Sequence, residues 1–298
     1  MPSCFVATID TSLAQKMRED LAEKGFTLTM PPYTFFSAVK EGVSCTLYTS
    51  GKLTVQGKGM DEFITYYLEP EILKNVSYSY PEVNVDLTPR IGIDEAGKGD
   101  FFGPLCIAGV QAGEEKVKEL ISIGVRDSKQ MSDAAVIALS KKIRQNFAHS
   151  IVRISPPKYN ELYGNFKNLN RLLAWGHATA IGELVTKTSC QNVIIDQFAS
   201  EHLVISALKS KKLDVNLTQR HGAESDPVVA AASILARAAF LQGLEELGQQ
   251  IAIPLPKGAS KKVLETGRII VHKLGEEALG KVAKLHFKTR DDILRTLL

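Results

Sequence analysis

The order of apolar and polar positions predicts a helix, then strands, then a second helix in the first quarter of the chain. Residues 11–25 have the spacing of an amphipathic helix, residues 34–57 predict strands separated by turns, and residues 60–74 are again helical. Residues that can cap, turn or end these elements stand at their boundaries: Thr11 or Ser12, Gly25 and Ser50-Gly51. We expect these elements to form one α+β unit.

The chain changes character over residues 75–89. This stretch holds two prolines and several small polar residues, and no helical period runs through it. Such a composition is typical of a linker. The pattern therefore predicts a small domain over residues 1–75, a linker over 76–89 and a larger domain over 90–298.

The larger domain alternates predicted strands with predicted helices, which favours an α/β fold with a mixed sheet flanked by helices. The predicted strands are 90–100 with its glycine-rich turn, 104–110, 151–155 and 191–198, and the predicted helices are 133–147, 169–187 and an alanine-rich helix from Pro227. Asp226 can cap that last helix, with Pro227 as its first residue. Because the helix is apolar almost all round, we expect it to be buried.

The composition is that of a soluble globular protein, with 44% apolar and 23% charged residues among 298. The net charge is only +3, so nucleic-acid binding would need basic residues concentrated on one face. The first 80 residues carry 7 Lys and Arg against 9 Asp and Glu, a net charge of −2, and the remainder carries 29 against 24, a net charge of +5. The basic excess therefore lies in the second part.

The cysteines and the N-terminal residues indicate in which cellular compartment the protein works. Cys4, Cys45, Cys106 and Cys190 form no C-x-x-C pair, which argues against a zinc site. Cys106 and Cys190 stand in apolar stretches and are expected to be buried thiols, as fits a reducing cytoplasm. The N-terminus lacks a signal-peptide pattern, and no apolar run reaches membrane-spanning length. We expect a cytoplasmic protein with no membrane contact.

Three acidic residues follow apolar strands. Asp94 and Glu95 come after residues 91–93, and Asp196 closes the apolar run 193–195. Adjacent strand residues point to opposite faces, so Asp94 should share a face with the glycine two residues before it. A carboxylate in such a setting loses solvation unless it is paired or binds a metal. We therefore interpret these acids as functional.

Carboxylates without a cysteine or histidine cluster suit a hard cation such as Mg²⁺ or Mn²⁺. Two such ions, about 3.5–4 Å apart, can clamp the attacking and leaving oxygens of a phosphate. No Gly-x-Ser-x-Gly motif or other nucleophile motif competes for this role. Gly97-Lys98-Gly99 lacks the spacing of a Walker P-loop, and its glycines would let a nucleic-acid backbone approach the main chain. The residues thus indicate a metal-dependent phosphodiesterase.

Four segments resemble the type 2 ribonuclease H family. They are 91–105 (IGIDEAGKGDFFGPL), 126–130 (RDSKQ), 193–198 (VIIDQF) and 230–237 (AAASILAR). Within this family the chain is similar to the ribonuclease HIII subfamily, through segments 158–162, 168–175 and 281–287 and, in its extra N-terminal domain, 48–59. The resemblance covers nearly the whole chain, and the set of motifs together is specific.

The resemblance implies an RNase H-like mixed-sheet catalytic domain preceded by a small TATA-binding-protein-like domain that binds substrate. It implies an endonuclease that cuts the RNA strand of RNA–DNA hybrids with two Mg²⁺ or Mn²⁺ ions, leaving 3′-hydroxyl and 5′-phosphate ends. The implied partner is the hybrid duplex, and we expect a monomer. Two alternatives stay open: a hybrid-binding protein without catalysis, and a DNA-junction nuclease or integrase on the same fold.

The family's four metal-binding, catalytic carboxylates can be placed on this chain. Asp94, Glu95 and Asp196 map directly, and the fourth maps to Glu224, although the residue two places before it is not the lysine of the subfamily. Asp226 competes for this role, since ribonuclease HII uses an aspartate near here. We prefer Glu224 because capping already explains an aspartate that precedes a proline.

Substrate-binding residues are implied as well. The backbone of Gly97-Lys98-Gly99 would read ribose 2′-hydroxyls, the groups that distinguish RNA from DNA. Ser128 and Lys129 would lie near phosphates.

Lysines could also hold the nucleic-acid backbone. Three C-terminal lysines have the i, i+3, i+7 spacing of one helix face, which is either a phosphate grip or a solvated face: Lys281, Lys284 and Lys288. In the N-terminal domain, Lys52 and Lys58 would have to cluster with Lys40 on the strand face to bind substrate. Without such a cluster, that acidic domain is better interpreted as a spacer or a protein-contact module.

Overall fold

The structure, a computed structural model, describes residues 4–74 and 86–295. The chain divides into two units, residues 1–86 and 87–298, and each has its own hydrophobic core. The linker predicted over 76–89 lies mostly outside the described residues.

Alternating apolar and polar residues give the first unit a sheet with one apolar face. Its strands are β1 (Phe5–Thr8), β2 (Thr27–Thr29), β3 (Thr34–Lys40), β4 (Val43–Tyr48) and β5 (Lys52–Gln56). They lie in the order β1-β5-β4-β3-β2, and their described pairings are antiparallel. Phe36 and Leu47 are fully buried on one face, whereas Ser37 and Thr46 point to the other and share a hydrogen bond of 2.9 Å.

The apolar face of this sheet packs against helices. They are α1 (Ala14–Glu23) and α2 (Met60–Phe63), which a π-helical segment (Ile64–Leu73) continues. The hairpin turn predicted between β4 and β5 is confirmed, since Gly51 has a φ of +82° and donates its N–H to the Tyr48 carbonyl at 2.9 Å. The predicted helix cap is wrong. Asp10, one residue before Thr11, accepts the N–H of Ser12 at 2.9 Å, because its backbone is extended and its carboxylate reaches that donor.

The second unit is built on the predicted mixed sheet. Its strands are β6 (Arg90–Ala96), β7 (Leu105–Ala112), β8 (Ala148–Ile154), β9 (Asn192–Asp196) and β10 (Asn216–Arg220), in the order β10-β9-β6-β7-β8. β6, β7 and β8 pair antiparallel, whereas β9 is parallel to both β6 and β10. The carboxyl ends of β6 and β9 therefore meet at one edge.

Helices cover both faces of this sheet. They are α3 (Glu115–Ser122), α4 (Asp133–Asn146), α5 (Pro156–Phe166), α6 (Leu169–Thr188), α7 (Glu201–Ser210), α8 (Pro227–Gln250), α9 (Lys261–Leu274), α10 (Glu277–Val282) and α11 (Lys288–Leu294). A Cβ on Gly92 would lie 2.5 Å from the Val228 backbone, so only glycine lets α8 pack this closely. On the opposite face, α6 brings Gly176 against Ile107.

The buried helix α8 begins as predicted. Asp226 accepts the N–H of Val228 at 2.8 Å, and Pro227 is the first helical residue. Among the described residues, α8 is the one helix whose length and composition would allow it to cross a membrane, but most of it is enclosed by the rest of the unit. We therefore assign it as a core helix.

The cysteines partly follow prediction. All four are free thiols, and Cys106 is buried as expected. Cys190 is only half-buried, because it lies in the turn between α6 and β9 rather than inside the strand.

The predicted helical face of three lysines is wrong. α10 ends at Val282, and Ala283 is extended and bridges Phe102. Lys284 is fully buried and donates to the carbonyls of Phe102 at 3.3 Å and Gly103 at 2.6 Å. Its ammonium therefore holds the loop after β6 and is not exposed for phosphate binding.

Candidate active site

The end of β6 directs two carboxylates to opposite faces of the sheet. Asp94 lies on the α8 side, where Ser233 hydrogen-bonds its carboxylate, and Glu95 lies on the α6 side against His177. Asp94 also accepts the N–H of Glu95 at 2.8 Å. The strand thus fixes both acids from their backbone, one facing each covering helix.

Asp94 carries a charge that its surroundings do not fully compensate. Burial raises its pKa to about 6, and the negative charge of Glu95 contributes, while the Ser233 hydroxyl and the Glu95 N–H lower it. A carboxyl with a raised pKa beside a second carboxylate is the situation that a bound cation relieves.

Glu95 keeps its charge through two donors. His177 Nε2 lies 3.1 Å from Oε2, and Lys98 Nζ donates to Oε1 at 3.5 Å. Burial raises the pKa of Glu95, but the hydrogen bond from His177 and the nearby charges outweigh it, so the pKa lies below its ordinary value. Sequence reasoning missed His177, because a lone histidine in an apolar helix gives no signal of the residue opposite it.

Asp196 reaches the same edge from the neighbouring strand. β9 pairs with β6 so that Ile195 lies opposite Ile93, which brings the next residues of both strands, Asp196 and Asp94, side by side. Asp196 accepts the N–H of Ala223 at 3.2 Å. That bond fixes the 3₁₀ turn Ala223–Ser225, which carries Glu224.

Glu224 and Asp226 have different surroundings although they are two residues apart. Glu224 is partly exposed and accepts Lys129 Nζ at 3.3 Å. Backbone hydrogen bonding and Lys129 hold the pKa of Glu224 below its ordinary value. Asp226 is buried, caps α8 and accepts Arg90 Nε at 2.8 Å. Glu224 is therefore the residue available to the cavity, and Asp226 is engaged in structure.

One cavity of about 370 Å³ is lined by the four preferred carboxylates, the glycine loop and two further predicted binding residues of this unit. They are Asp94, Glu95, Gly97, Lys98, Gly99, Ser128, Lys129, Asp196 and Glu224. Within the described part of the chain, no three acidic, histidine or cysteine side chains are close enough to form a finished metal cage. The four predicted carboxylates line the cavity, and each already accepts a hydrogen bond from a group of the protein itself.

The glycine loop beside these acids is held at one end and open at the other. Gly97 has a φ of +87°, and a Cβ there would lie 2.3 Å from the Pro104 carbonyl oxygen. Gly99 has no neighbour within 4 Å of its would-be Cβ, so another molecule can approach its backbone. Asp100 accepts the N–H of Gly258 at 2.6 Å and fixes the end of the loop.

The other predicted binding residues differ in exposure and in whether their polar groups already have a hydrogen-bond partner. Ser128 is buried and shares a hydrogen bond of 2.8 Å with Ser233, so its hydroxyl is used inside the unit. Lys129 is mostly exposed. In the first unit, Lys52 is the first residue of β5, and Lys58 lies in the turn two residues after its end at Gln56. Both are exposed.

The donor set fits hard divalent cations. Five carboxylates line the cavity: four come from two strands and a turn, and the fifth, Asp100, lies in the glycine loop; no thiol or imidazole lines the cavity among the described residues. The raised pKa of Asp94 marks negative charge that the protein leaves uncompensated. The residues present can therefore hold Mg²⁺ or Mn²⁺.

Comparison with known proteins supports this picture. The family model for ribonuclease HII matches residues 91–290, and one for a domain of unknown function, DUF3378, matches 4–79. The chain is 57% identical to ribonuclease HIII of Protochlamydia amoebophila, over 97% of this chain and 96% of the relative. It is 50% identical to ribonuclease HIII of Chlamydia felis, over 98% of each chain. It also resembles the crystal structure of Bst-RNase HIII in complex with Mn²⁺, with a TM-score of 0.69 and 27% identity over 99% of both chains.

Proposed function

Because the chain belongs to the ribonuclease HIII family, a branch of the type 2 ribonucleases H, we propose that it hydrolyses the RNA strand of RNA–DNA hybrids by a two-metal mechanism. It is an endonuclease that leaves 3′-hydroxyl and 5′-phosphate ends. The observation that carries this proposal is the convergence of Asp94, Glu95, Asp196 and Glu224 on one cavity beside an open glycine loop.

These four carboxylates would hold two Mg²⁺ or Mn²⁺ ions. When bound, the ions supply Lewis-acid activation of water and neutralise charge on the phosphate. Lys98 and Lys129 already lie against two of the carboxylates, at 3.5 and 3.3 Å. Both ammonium groups are therefore within reach of a phosphate entering the cavity.

Selection of RNA falls to the glycine loop. Gly97 keeps the chain in a conformation that other residues adopt only with strain, and Gly99 leaves its backbone accessible. Backbone groups of Gly97, Lys98 and Gly99 can hydrogen-bond a ribose 2′-hydroxyl without reading the base. The buried Ser128 supports Asp94 through Ser233, and it lines the cavity in which a phosphate would lie.

The first unit acts as a TATA-binding-protein-like substrate-binding domain over residues 1–75, joined through 76–89 to the catalytic domain 90–298. Its sheet face with the hydroxyl groups of Ser37 and Thr46 supports this role, and Lys52 and Lys58 are exposed in the same unit. The free thiols fit a cytoplasmic protein. Nothing in the proposed mechanism requires a second copy, so we propose a monomer.

A panel of end-labelled duplexes tests the function. It comprises an RNA–DNA hybrid, DNA with one or four embedded ribonucleotides, and all-DNA duplex and junction, each with Mg²⁺, Mn²⁺ or EDTA. We expect metal-dependent cuts in the RNA strand that leave 5′-phosphates. Tight hybrid binding without cleavage would identify a non-catalytic binding protein, and cleavage of all-DNA substrates would identify a junction nuclease.

A further inference from the structure

His177 is buried in the middle of α6, and within residues 4–74 and 86–295 the one polar contact of its side chain is with Glu95. Its side chain is 1% exposed, and Nε2 lies 3.1 Å from Oε2 of Glu95. Nδ1 is buried and has no hydrogen-bond partner in the part of the chain that the structure describes. Because an ionised carboxylate has only lone pairs to offer, the shared hydrogen belongs to Nε2, and Glu95 is the acceptor.

The ring of His177 cannot easily turn away from this contact. Phe198 packs on it with ring centroids 4.6 Å apart. Its neighbours on α6 are buried as well, with Leu173 and Ile181 fully enclosed. Rotation of the ring would strand both nitrogens in an apolar setting, which costs free energy.

The two oxygens of Glu95 therefore have partners of different kinds. Oε2 faces the immobile imidazole, whereas Oε1 faces Lys98, whose side chain is 38% exposed and 3.5 Å away. Lys98 also lies 5.6 Å above the Phe198 ring, so its ammonium stays near the cluster when it leaves Glu95. One partner is fixed and the other can exchange.

We propose that His177 is a positioning residue that holds Oε2 of Glu95, so that Oε1 is the oxygen that exchanges Lys98 for a divalent cation. The inference rests on the proposed function, since it assigns Glu95 as a metal ligand. Partners of this kind orient a ligand and tune its affinity without touching the metal. Cation binding also frees the Lys98 ammonium beside the glycine loop, where a hybrid phosphate would lie.

The test compares three substitutions that separate the hydrogen bond from the volume of the ring. His177→Gln can place an amide N–H where Nε2 stands, His177→Asn places it nearer Nδ1, and His177→Leu has no donor. His149→Leu is the matched control. It removes a second imidazole of the same unit, a half-buried one whose Nδ1 lies 2.9 Å from the Phe147 carbonyl and which does not line the cavity within the described residues.

The readout is Mn²⁺ affinity of the full chain without substrate, by isothermal titration, with melting temperatures in EDTA. We expect His177→Leu and His177→Asn to weaken Mn²⁺ binding about 10- to 100-fold. His177→Gln and His149→Leu should stay close to wild type. If His177→Leu fails to fold, the Gln and Asn pair decides. Equal affinity in all variants, or equal losses in Gln and Asn, overturns the role of the hydrogen bond.

Lys98→Met tests the exchange. Removing the competing ammonium should tighten Mn²⁺ binding to the substrate-free protein, and unchanged or weaker binding overturns the exchange. The wild-type cleavage assay separates the two ideas. If the variants change Mn²⁺ affinity as expected but the wild type cuts no hybrid, the proposed function alone is refuted. If the wild type cuts the hybrid but the His177 variants bind Mn²⁺ like the wild type, this inference alone is refuted.

Discussion

The sheet of the first unit leaves one face uncovered, whereas the sheet of the second unit is covered on both faces and leaves its strand ends accessible. In the first unit, α1, α2 and the π-helical segment share one core with the apolar sheet face, and the other face presents side chains such as Ser37, Thr46 and Thr54. In the second unit, α6 and α8 cover opposite faces of the sheet, and the acids stand where β6 and β9 end.

This difference teaches where each sheet can act. A sheet with one open face offers a broad surface of weak contacts. Such a surface can position a duplex along its backbone but does not act on a particular bond. A sheet covered on both sides leaves only its strand ends to solvent, and there charges from neighbouring strands concentrate at one point. We therefore expect substitutions at strand ends to change the reaction, and substitutions on the open face to change affinity.

The largest effect should follow from Asp94→Asn. Losing one carboxylate of the metal site removes several kcal/mol of transition-state stabilisation, so cleavage of the hybrid should fall about 10³-fold or more. Hybrid binding in EDTA and the melting temperature should be retained, since the amide fills the same space. Cleavage near the wild-type rate would remove Asp94 from the mechanism.

Glu224 and Asp226 should separate activity from stability. Asp226→Ala removes the buried partner of Arg90 and the cap of α8, and should cost about 3–5 kcal/mol of unfolding free energy in denaturant titrations. Glu224→Gln should cost about 0.5 kcal/mol or less, with about a 10²-fold loss of cleavage. The reverse pattern would make Asp226 the fourth metal ligand.

The glycine loop offers a matched pair. Gly97→Ala forces a side chain into a left-handed backbone position against the Pro104 carbonyl, and should cost about 1–3 kcal/mol of stability together with activity. Gly99→Ala meets no neighbour, so stability should stay unchanged, and any loss of cleavage reports substrate contact at that backbone. Full activity of the Gly99 variant would argue that the hybrid keeps clear of this end of the loop.

The smallest effect should come from the open face of the first unit. Thr54→Glu places a negative charge there without entering the core, and should weaken hybrid binding about 10-fold at low salt, with kcat unchanged. Thr54→Gln is the neutral control. Fluorescence anisotropy with labelled hybrid at two salt concentrations measures the difference, and equal affinity of the two variants would place the substrate elsewhere.

Local patterns identified much of the architecture because they report local physics. The hairpin at Gly51, the cap of α8 and the strands that carry Asp94 and Asp196 all follow from residues near in sequence. Several short elements were not predicted, among them β1, β2, α5, α7 and β10. These are edge strands or short helices whose ends depend on packing from elsewhere.

The sequence alone determined which acids end apolar strands, where glycine is required beside them and which family the chain resembles. Tertiary structure decided the rest. It divided Glu224 from Asp226 by placing Arg90 against one of them, it buried Lys284 under the loop after β6, and it set His177 opposite Glu95. Each of these pairs joins residues far apart in the chain, and contacts of that kind depend on how helices and strands pack, which no local spacing records.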